Sequence, residues 1–188
     1  MVRGIDKFKN YFKDYSGHYV IIGGTACDQA FTNAGLDFRA TKDIDIILVI
    51  EALNSTFVKH FWDFIKEGNY KTKQKSNEDR KYYRFLDPED KSFPYQLELF
   101  SRKPDILDIK EETGLTPIPI GEDLSSLSAI LLNDDYYSLI INNSSNFEGI
   151  QFAKTETLIC LKAKAYIDFV SRRTKGEQVD KKDTGMIF

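Results

Sequence analysis

The sequence predicts an α/β (α+β) fold, with a mixed β-sheet, flanking helices and a small helical C-terminal region. Two observations lead to this prediction. Over the first hundred residues, short β-branched or alternating segments typical of strands are interleaved with helical periodicity. Beyond residue 110 the longest patterns are helical. We therefore predict a core over residues 1–110 and a mostly helical region over residues 111–188 that packs on it.

The first three elements follow from apolar spacing and from glycine. Phe8 and Phe12 recur at helical spacing, which predicts a helix over Lys7–Tyr15. Tyr19–Ile22 is a short apolar run ended by two glycines, as expected of a buried strand. A helix over Thr25–Asn33 follows, with its first residue as the predicted N-cap.

The next elements complete the predicted sheet. Asp43–Ile50 alternates at first and then becomes wholly apolar, which predicts a central strand. Ser55 is the predicted cap of a helix over Thr56–Lys66. Arg80–Leu86 and Tyr95–Phe100 are predicted as two strands joined by an Asp-Pro-Glu-Asp turn.

The second half of the chain gives weaker strand signals and two helical ones. Ile106–Lys110 and Gly149–Phe152 are predicted as strands. Leu124–Leu132 and Thr155–Arg172 are predicted as helices, the second long and amphipathic. A turn-rich Thr-Pro-Ile-Pro-Ile-Gly segment at 116–121 is a candidate connection between the two regions.

Composition excludes several protein classes. The 188 residues are 41% hydrophobic and 29% charged, with a net charge of −3, which is ordinary for a globular protein. No uninterrupted apolar run reaches the roughly 18 residues of a membrane span, and the N-terminal segment lacks a signal core. Cys27 and Cys160 lack metal-ligand spacing and are expected to be reduced, buried thiols. We expect a cytoplasmic protein with no membrane partner.

Two aspartates on the second predicted strand give the first chemical signal. In Asp43-Ile44-Asp45 the two-residue period of a strand places both carboxylates on one face. Carboxylates this close repel each other unless a cation neutralises them, and hard oxygen ligands suit Mg²⁺. Glu98, on a later alternating strand, is a third candidate ligand. If the two strands are neighbours, three acids converge on a two-metal site, with Mn²⁺ as the alternative ion.

The segment before these acids predicts a phosphate site. Gly23, Gly24 and Thr25 end one strand and open a helix, so backbone N–H groups and the positive end of the helix dipole face one edge. The segment is neither a P-loop nor a dinucleotide fingerprint, because the Gly-Lys-Ser/Thr and Gly-x-Gly-x-x-Gly patterns are absent. A phosphate cradle about 20 residues before an acid pair indicates phosphoryl or nucleotidyl transfer.

Two stretches of the chain resemble the nucleotidyltransferases of the DNA polymerase β superfamily. Val20–Ala26 and Arg39–Ile46 match its apolar strand ending in Gly-Gly and its following acid-x-acid strand. The Arg-x-Thr-x-Asp-Ile-Asp form looks closest to the AbiEii-like toxin branch of abortive-infection and type IV toxin–antitoxin systems. Leu158–Ala165 matches the Leu-x-x-Leu-Lys-x-x-Ala helix of that branch. The resemblance covers residues 18–50 and 95–100, and more loosely 150–183.

The resemblance implies a nucleotidyltransferase fold and a toxin-type enzyme that transfers an NMP from an NTP to an acceptor hydroxyl. The acceptor would be an RNA or tRNA end or a protein, and an antitoxin protein would be a partner. The implied catalytic residues are Asp43, Asp45, Glu98 and Lys162, of which the three acids would hold Mg²⁺. The implied nucleotide- and phosphate-binding residues are Gly23, Gly24, Thr25 and Arg39. Family members often add an acid after the lysine helix, for which the chain offers Asp180 and Asp183.

Several assignments have a second interpretation. Asp87 or Glu89 replaces Glu98 as the third acid if the register of the predicted hairpin differs. Arg39 either binds phosphate or pairs with the first aspartate, and Lys162 either approaches the phosphates or is an exposed helix charge.

A basic and aromatic stretch, residues 66–84, bears on the acceptor. Its lysines, arginines and tyrosines could follow a nucleic-acid backbone and stack on bases, or could form a solvated hairpin. At the level of the whole protein, the alternatives to an enzyme are a catalytically inactive nucleotide-binding or regulatory protein of the same fold, and a structural partner in a toxin–antitoxin pair.

Overall fold

A computed structural model describes residues 2–49, 51–72, 82–100 and 133–176 of the chain. Within these residues a mixed sheet of seven strands has the order β3-β4-β5-β2-β1-β7-β6. The strands are β1 (Tyr19–Ile22), β2 (Asp43–Leu48), β3 (Lys71–Thr72), β4 (Tyr82–Leu86), β5 (Gln96–Phe100), β6 (Ser144–Phe147) and β7 (Ile150–Ala153). The helices are α1 (Ile5–Phe12), a 3-10 helix (Lys13–His18), α2 (Gly23–Asn33), α3 (Ser55–Glu67), α4 (Asp134–Asn142) and α5 (Thr155–Thr174). The predicted α/β class with a mixed sheet is confirmed.

The strand β2 lies in the middle of the sheet and organises its neighbours. It pairs antiparallel with β1 on one side and parallel with β5 on the other. β4 pairs antiparallel with β5, as the predicted hairpin requires. On the far side of β1, β7 runs parallel to it and β6 closes the edge. Because β2 and β5 are parallel, their first residues meet at the same edge of the sheet.

An aromatic cluster buries the face of the sheet opposite to the acids. Phe64 of α3 packs on Phe8 and Phe12 of α1, with ring centroids 5.9 and 5.1 Å apart. Trp62 contacts Phe85 of β4 edge-on at 5.7 Å. All five side chains are at most 3% exposed, so each contributes roughly 2–3 kcal/mol of apolar burial. α1 and α3 therefore pack together over this face, and Trp62 joins α3 to β4.

Two predicted helix caps are wrong. α2 begins at Gly23, with Ile22 in the extended N-cap position, so Thr25 is inside the helix. α3 begins at Ser55, and the side chain of Asn54 is its cap, accepting a hydrogen bond of 2.9 Å from the Phe57 amide. Asn outranks Ser only slightly as a cap, so the sequence pattern could not choose between two adjacent candidates.

The region after residue 133 holds two elements that the sequence analysis missed, α4 and β6. Asn133 is the N-cap of α4, and its side chain accepts from the amides of Asp135 and Tyr136. β6 and β7 form a tight hairpin with Glu148 and Gly149 at φ 49° and 90°. This two-residue turn with both φ values positive is typical of hairpins. The hairpin pairs with β1, so residues 144–153 complete the sheet of the predicted core.

Two other expectations need correction. Cys27 is buried as expected, but Cys160 is exposed. α5 is not simply amphipathic, since Ile159 and Ile167 on its outer side are 61% and 60% exposed. None of the helices in the described part of the chain is long and apolar enough to cross a membrane.

Several predictions fall outside the described residues. They are the strand over Ile106–Lys110, the helix over Leu124–Leu132, the connection at 116–121, the division near residue 110, and Asp180 and Asp183.

Candidate functional site

The register of β2 and β5 brings the candidate acids together. Asp45 lies directly beside Glu98, and Asp43 lies beside Gln96. Paired residues on adjacent strands point to the same face and are about 4.8 Å apart across the sheet. Ile44 alternates to the other face and is fully buried there. The structure thus places Asp43, Asp45 and Glu98 on one face at one edge, because β2 and β5 are neighbours, which is the condition that the sequence left open.

Asp45 fits against the glycine turn at the start of α2. Gly23 has φ 65°, and a Cβ atom there would lie 1.8 Å from the Asp45 Oδ2 atom. The Gly24 amide donates a hydrogen bond to the Asp45 carboxylate. Burial raises the pKa of Asp45 well above its usual range, and the charges of Glu98 and Asp43 raise it further. The N-terminus of α2 therefore already contacts a carboxyl group, and this group belongs to the protein itself.

Asp43 is held through its backbone. The Thr25 hydroxyl, in a residue only 3% exposed, donates a 2.6 Å hydrogen bond to the Asp43 carbonyl oxygen. Burial and then the Glu98 charge raise the pKa of Asp43, while Arg84, Lys42 and Arg39 lower it. Thr25 thus joins α2 to the first residue of β2, which gives this predicted phosphate-binding residue a structural role.

Glu98 is the most enclosed of the three acids. It is 9% exposed; its Oε1 atom forms an ion pair with the Arg84 Nε atom at 2.8 Å and accepts a hydrogen bond from the Gln96 Nε2 atom at 2.6 Å. Asp87, the sequence alternative, instead pairs with Lys71 at 2.6 Å, a contact that lowers the pKa of Asp87. The register therefore selects Glu98 over Asp87 as the acid beside Asp45.

Two basic residues from outside the strands act on the same region. Burial raises the pKa of the Cys27 thiol on α2, while the charges of Lys162 and Arg39 lower it and Asp45 raises it. α2 and α5 are in contact, which brings Lys162 toward the acid edge. Lys162 is half-buried, whereas Lys164 pairs with Asp168 on its own helix at 2.7 Å.

Arg39 does not pair with Asp43 in the described structure. Its side chain is exposed, and the guanidinium carbon lies 5.8 Å from the centroid of the Phe38 ring. Thr41, next in the matched stretch, lies against Gly24, where a Cβ atom would be 2.7 Å from the Thr41 Oγ1 atom. Both residues belong to the loop that leads into β2, so this loop lines the glycine turn.

The basic and aromatic stretch offers less surface than its composition indicates. Tyr70 is 6% exposed, and its hydroxyl donates a 2.7 Å hydrogen bond to the Pro94 carbonyl oxygen, so its ring is a core group. Lys71 and Arg84 are in ion pairs. Residues 73–81 lie outside the described part of the chain.

The acids match a hard cation in their chemistry. Among the described residues, no three His, Cys, Asp or Glu side chains are arranged so that together they could hold a metal ion. The oxygen donors of Asp43, Asp45 and Glu98 are nevertheless the kind that Mg²⁺ takes, and their mutual repulsion is relieved by a cation. Arg84 and Gln96 both contact the Glu98 Oε1 atom, so a metal ion would compete with these two side chains for this oxygen.

Arg84 and Gln96 are the site residues that sequence reasoning missed. Gln96 lies two residues before Glu98, so strand alternation alone could have placed it on the acid face. Arg84 could have been found only from the antiparallel register, in which it lies directly opposite Glu98.

A cavity of about 310 Å³ lies elsewhere, between α2, the β6–β7 hairpin and the start of α5. None of the sequence-predicted site residues lines it. No protein-family model, no curated protein and no solved structure matches the chain.

Proposed function

We propose that the protein is a Mg²⁺-dependent nucleotidyltransferase that transfers an NMP from an NTP to an acceptor hydroxyl. The observation that carries this proposal is the register that sets Asp45 beside Glu98, with Asp43 two residues away and the glycine turn against Asp45. Carboxylates beside a helix N-terminus combine a cation site with an anion site, which a metal–triphosphate substrate needs.

The reaction is an in-line displacement at the α-phosphorus. The acceptor oxygen forms a bond to the α-phosphorus, the bond from that phosphorus to the bridging oxygen of pyrophosphate breaks, and the hydroxyl proton passes to a base. When bound, Mg²⁺ supplies charge neutralisation at the attacking and leaving oxygens.

Five residues of the candidate site have specific roles in this proposal. Asp43 and Asp45 hold the metal-bound substrate, and Glu98 orients or deprotonates the acceptor hydroxyl. The backbone of Gly23 and Gly24 receives the phosphates, because helix N-terminal amides bind anions. The acceptor, an RNA or tRNA end or a protein hydroxyl, follows from the resemblance of the sequence alone.

A second candidate is a nucleotide-binding protein of the same architecture without catalysis. It is favoured by one observation: the Gly24 amide and the Arg84 guanidinium already satisfy Asp45 and Glu98 from within the chain. A toxin-type role with an antitoxin partner applies to either candidate and is tested by copurification.

Incubation with each α-³²P-labelled NTP, Mg²⁺ and total RNA or lysate tests the proposal. We expect label on one macromolecule, and its loss when Asp43→Asn and Asp45→Asn are combined. Asp63→Asn, an exposed change of the same charge on α3, is the matched control and should keep full transfer. Equal labelling by the double variant would exclude the acids from the reaction. Metal-dependent NTP binding without labelling would favour the second candidate.

A further inference from the structure

Arg84 lies where it can act on all three acids. It pairs directly with Glu98 across β4 and β5, and therefore projects from the acid face of the sheet. Its Nε atom is 2.8 Å from the Glu98 Oε1 atom, a charge-assisted contact. Its charge also reaches Asp43 and Asp45. Arg84 is thus an internal cation at the edge where a metal would bind.

The two partners in this ion pair differ in their freedom to move. The Arg84 side chain is 46% exposed, whereas that of Glu98 is 12% exposed. A half-exposed guanidinium can rotate into water at small cost, whereas a buried carboxylate left alone lacks the hydration that would replace its partner. Of the two partners, Arg84 is therefore the one that a metal ion can replace.

The exchange concerns one particular oxygen. The Glu98 Oε1 atom is paired with the Arg84 guanidinium and accepts a hydrogen bond from Gln96, so a metal ion that used this oxygen would compete with the guanidinium. We propose that Arg84 is a resident counter-ion that competes with a divalent cation for Glu98, and so sets the metal affinity of the acid edge. This inference rests on the proposed function in one respect, namely that a divalent cation binds at the acids. In this role Arg84 is a positioning residue that acts through Glu98.

Removal of the guanidinium should then tighten metal binding. In Arg84→Gln a divalent cation no longer has to displace a charge-assisted contact, which corresponds to about tenfold higher affinity. Arg84→Lys keeps the charge but loses the planar fork, and is expected to bind about threefold more tightly than the wild type. Lys9→Gln is the matched control, because Lys9 is paired with Glu148 on the surface at 2.5 Å. Its affinity should stay within about twofold of the wild type.

Mn²⁺ is the probe, titrated into the full chain and followed by the loss of the EPR signal of the free ion. Tighter binding by Arg84→Gln than by the wild type, abolished when Asp45→Asn is added, supports the inference. Equal or weaker binding by Arg84→Gln overturns it. Should that variant fail to fold, Arg84→Lys decides, and an unchanged affinity there also overturns the inference.

The outcome is independent of catalysis. Tighter Mn²⁺ binding by Arg84→Gln without any nucleotide transfer would support the counter-ion role and refute the enzyme. Transfer by the wild type with no change of Mn²⁺ affinity in the variants would support the enzyme and refute the counter-ion role of Arg84. Mn²⁺ binding by none of the proteins overturns the inference and leaves the transfer assay to decide the function.

Discussion

The Asp45 carboxylate of β2 occupies the space that a side chain at Gly23, the first residue of α2, would need. A Cβ atom at Gly23 would lie 1.8 Å from the Asp45 Oδ2 atom, and Gly23 has φ 65°, which side chains rarely adopt. Asp45 can therefore hold its position only because residue 23 has no side chain. The end of β1, the start of α2 and the Asp45 carboxylate therefore form one structural unit.

Gly23→Ala should destabilise the protein by about 3 kcal/mol, because left-handed strain and displacement of the Asp45 carboxylate add together. Urea unfolding measures the effect. Gly35→Ala is the matched control, since Gly35 has φ 70° with open space around it and should cost only about 1 kcal/mol. Equal losses in the two variants would show that contact with Asp45 contributes nothing.

Asp45→Asn should make the protein more stable at pH 7, with a melting temperature about 3 °C higher. The raised pKa of Asp45 means that the folded protein keeps this proton to higher pH than the unfolded chain does. The free energy of unfolding of the wild type therefore falls as pH rises from about 4 through the raised pKa. The asparagine variant has no carboxyl at this position and does not show this decrease. The Asn side-chain oxygen can still accept from the Gly24 amide.

Thermal melts at pH 4 and pH 7 measure this difference. The advantage of Asp45→Asn should shrink toward pH 4, where the folded wild type holds the carboxyl neutral. A constant advantage at both values would contradict a charge effect. Asp63→Asn, on the exposed side of α3, is the matched control for the loss of one carboxylate.

Thr25→Val should cost about 1–2 kcal/mol, because it leaves the partly buried Asp43 carbonyl without the Thr25 hydroxyl donor. Thr25→Ser keeps the hydroxyl and should retain most of the stability. Thr32→Val controls for the substitution itself, since the Thr32 hydroxyl bonds the Asp28 carbonyl on an exposed turn of the same helix. Equilibrium urea unfolding of the three variants decides; a Ser variant as weak as the Val variant would exclude the hydrogen bond as the cause.

Lys162→Gln should lower the rate constant of nucleotide transfer about a hundredfold, which is the size of a lost electrostatic contact to developing charge. Lys164→Gln should change it no more than twofold, because Lys164 is held by Asp168. Single-turnover transfer of labelled nucleotide measures both. If the two variants lose equal activity, the helix contributes only its general positive charge.

The parts of the fold with strong local signals could be predicted from the sequence. The apolar run ended by Gly23, the alternation around Asp43 and Asp45, and the hairpin that carries Glu98 all lie where the pattern put them. Strand periodicity also placed the two aspartates on one face. That Asp45 lies beside Glu98 depended on which strands are neighbours, and the sequence analysis left this condition open.

Three of the missed features have no decisive local pattern. Arg84 enters the site only through pairing with Glu98, and a cationic residue on a strand has no local pattern that marks it. β6 is a polar Ser-Ser-Asn-Phe run of low strand propensity, which pairing with β7 overrides. Asn54 and Ser55 are equivalent cap candidates until the backbone angles select one.

The parallel pairing of β1 and β7 also governs how the chain can assemble. Ile21 pairs with Phe152, about 130 residues later in the chain. At 5–20 residues per second, a ribosome needs roughly ten seconds to deliver the partner strand after β1 has emerged. During that interval β1 and β2 can already pair as a local ribbon, while the second edge of β1 exposes unpaired amides and carbonyls. The nascent chain is thus most vulnerable to mispairing at the strand that leads into the glycine turn.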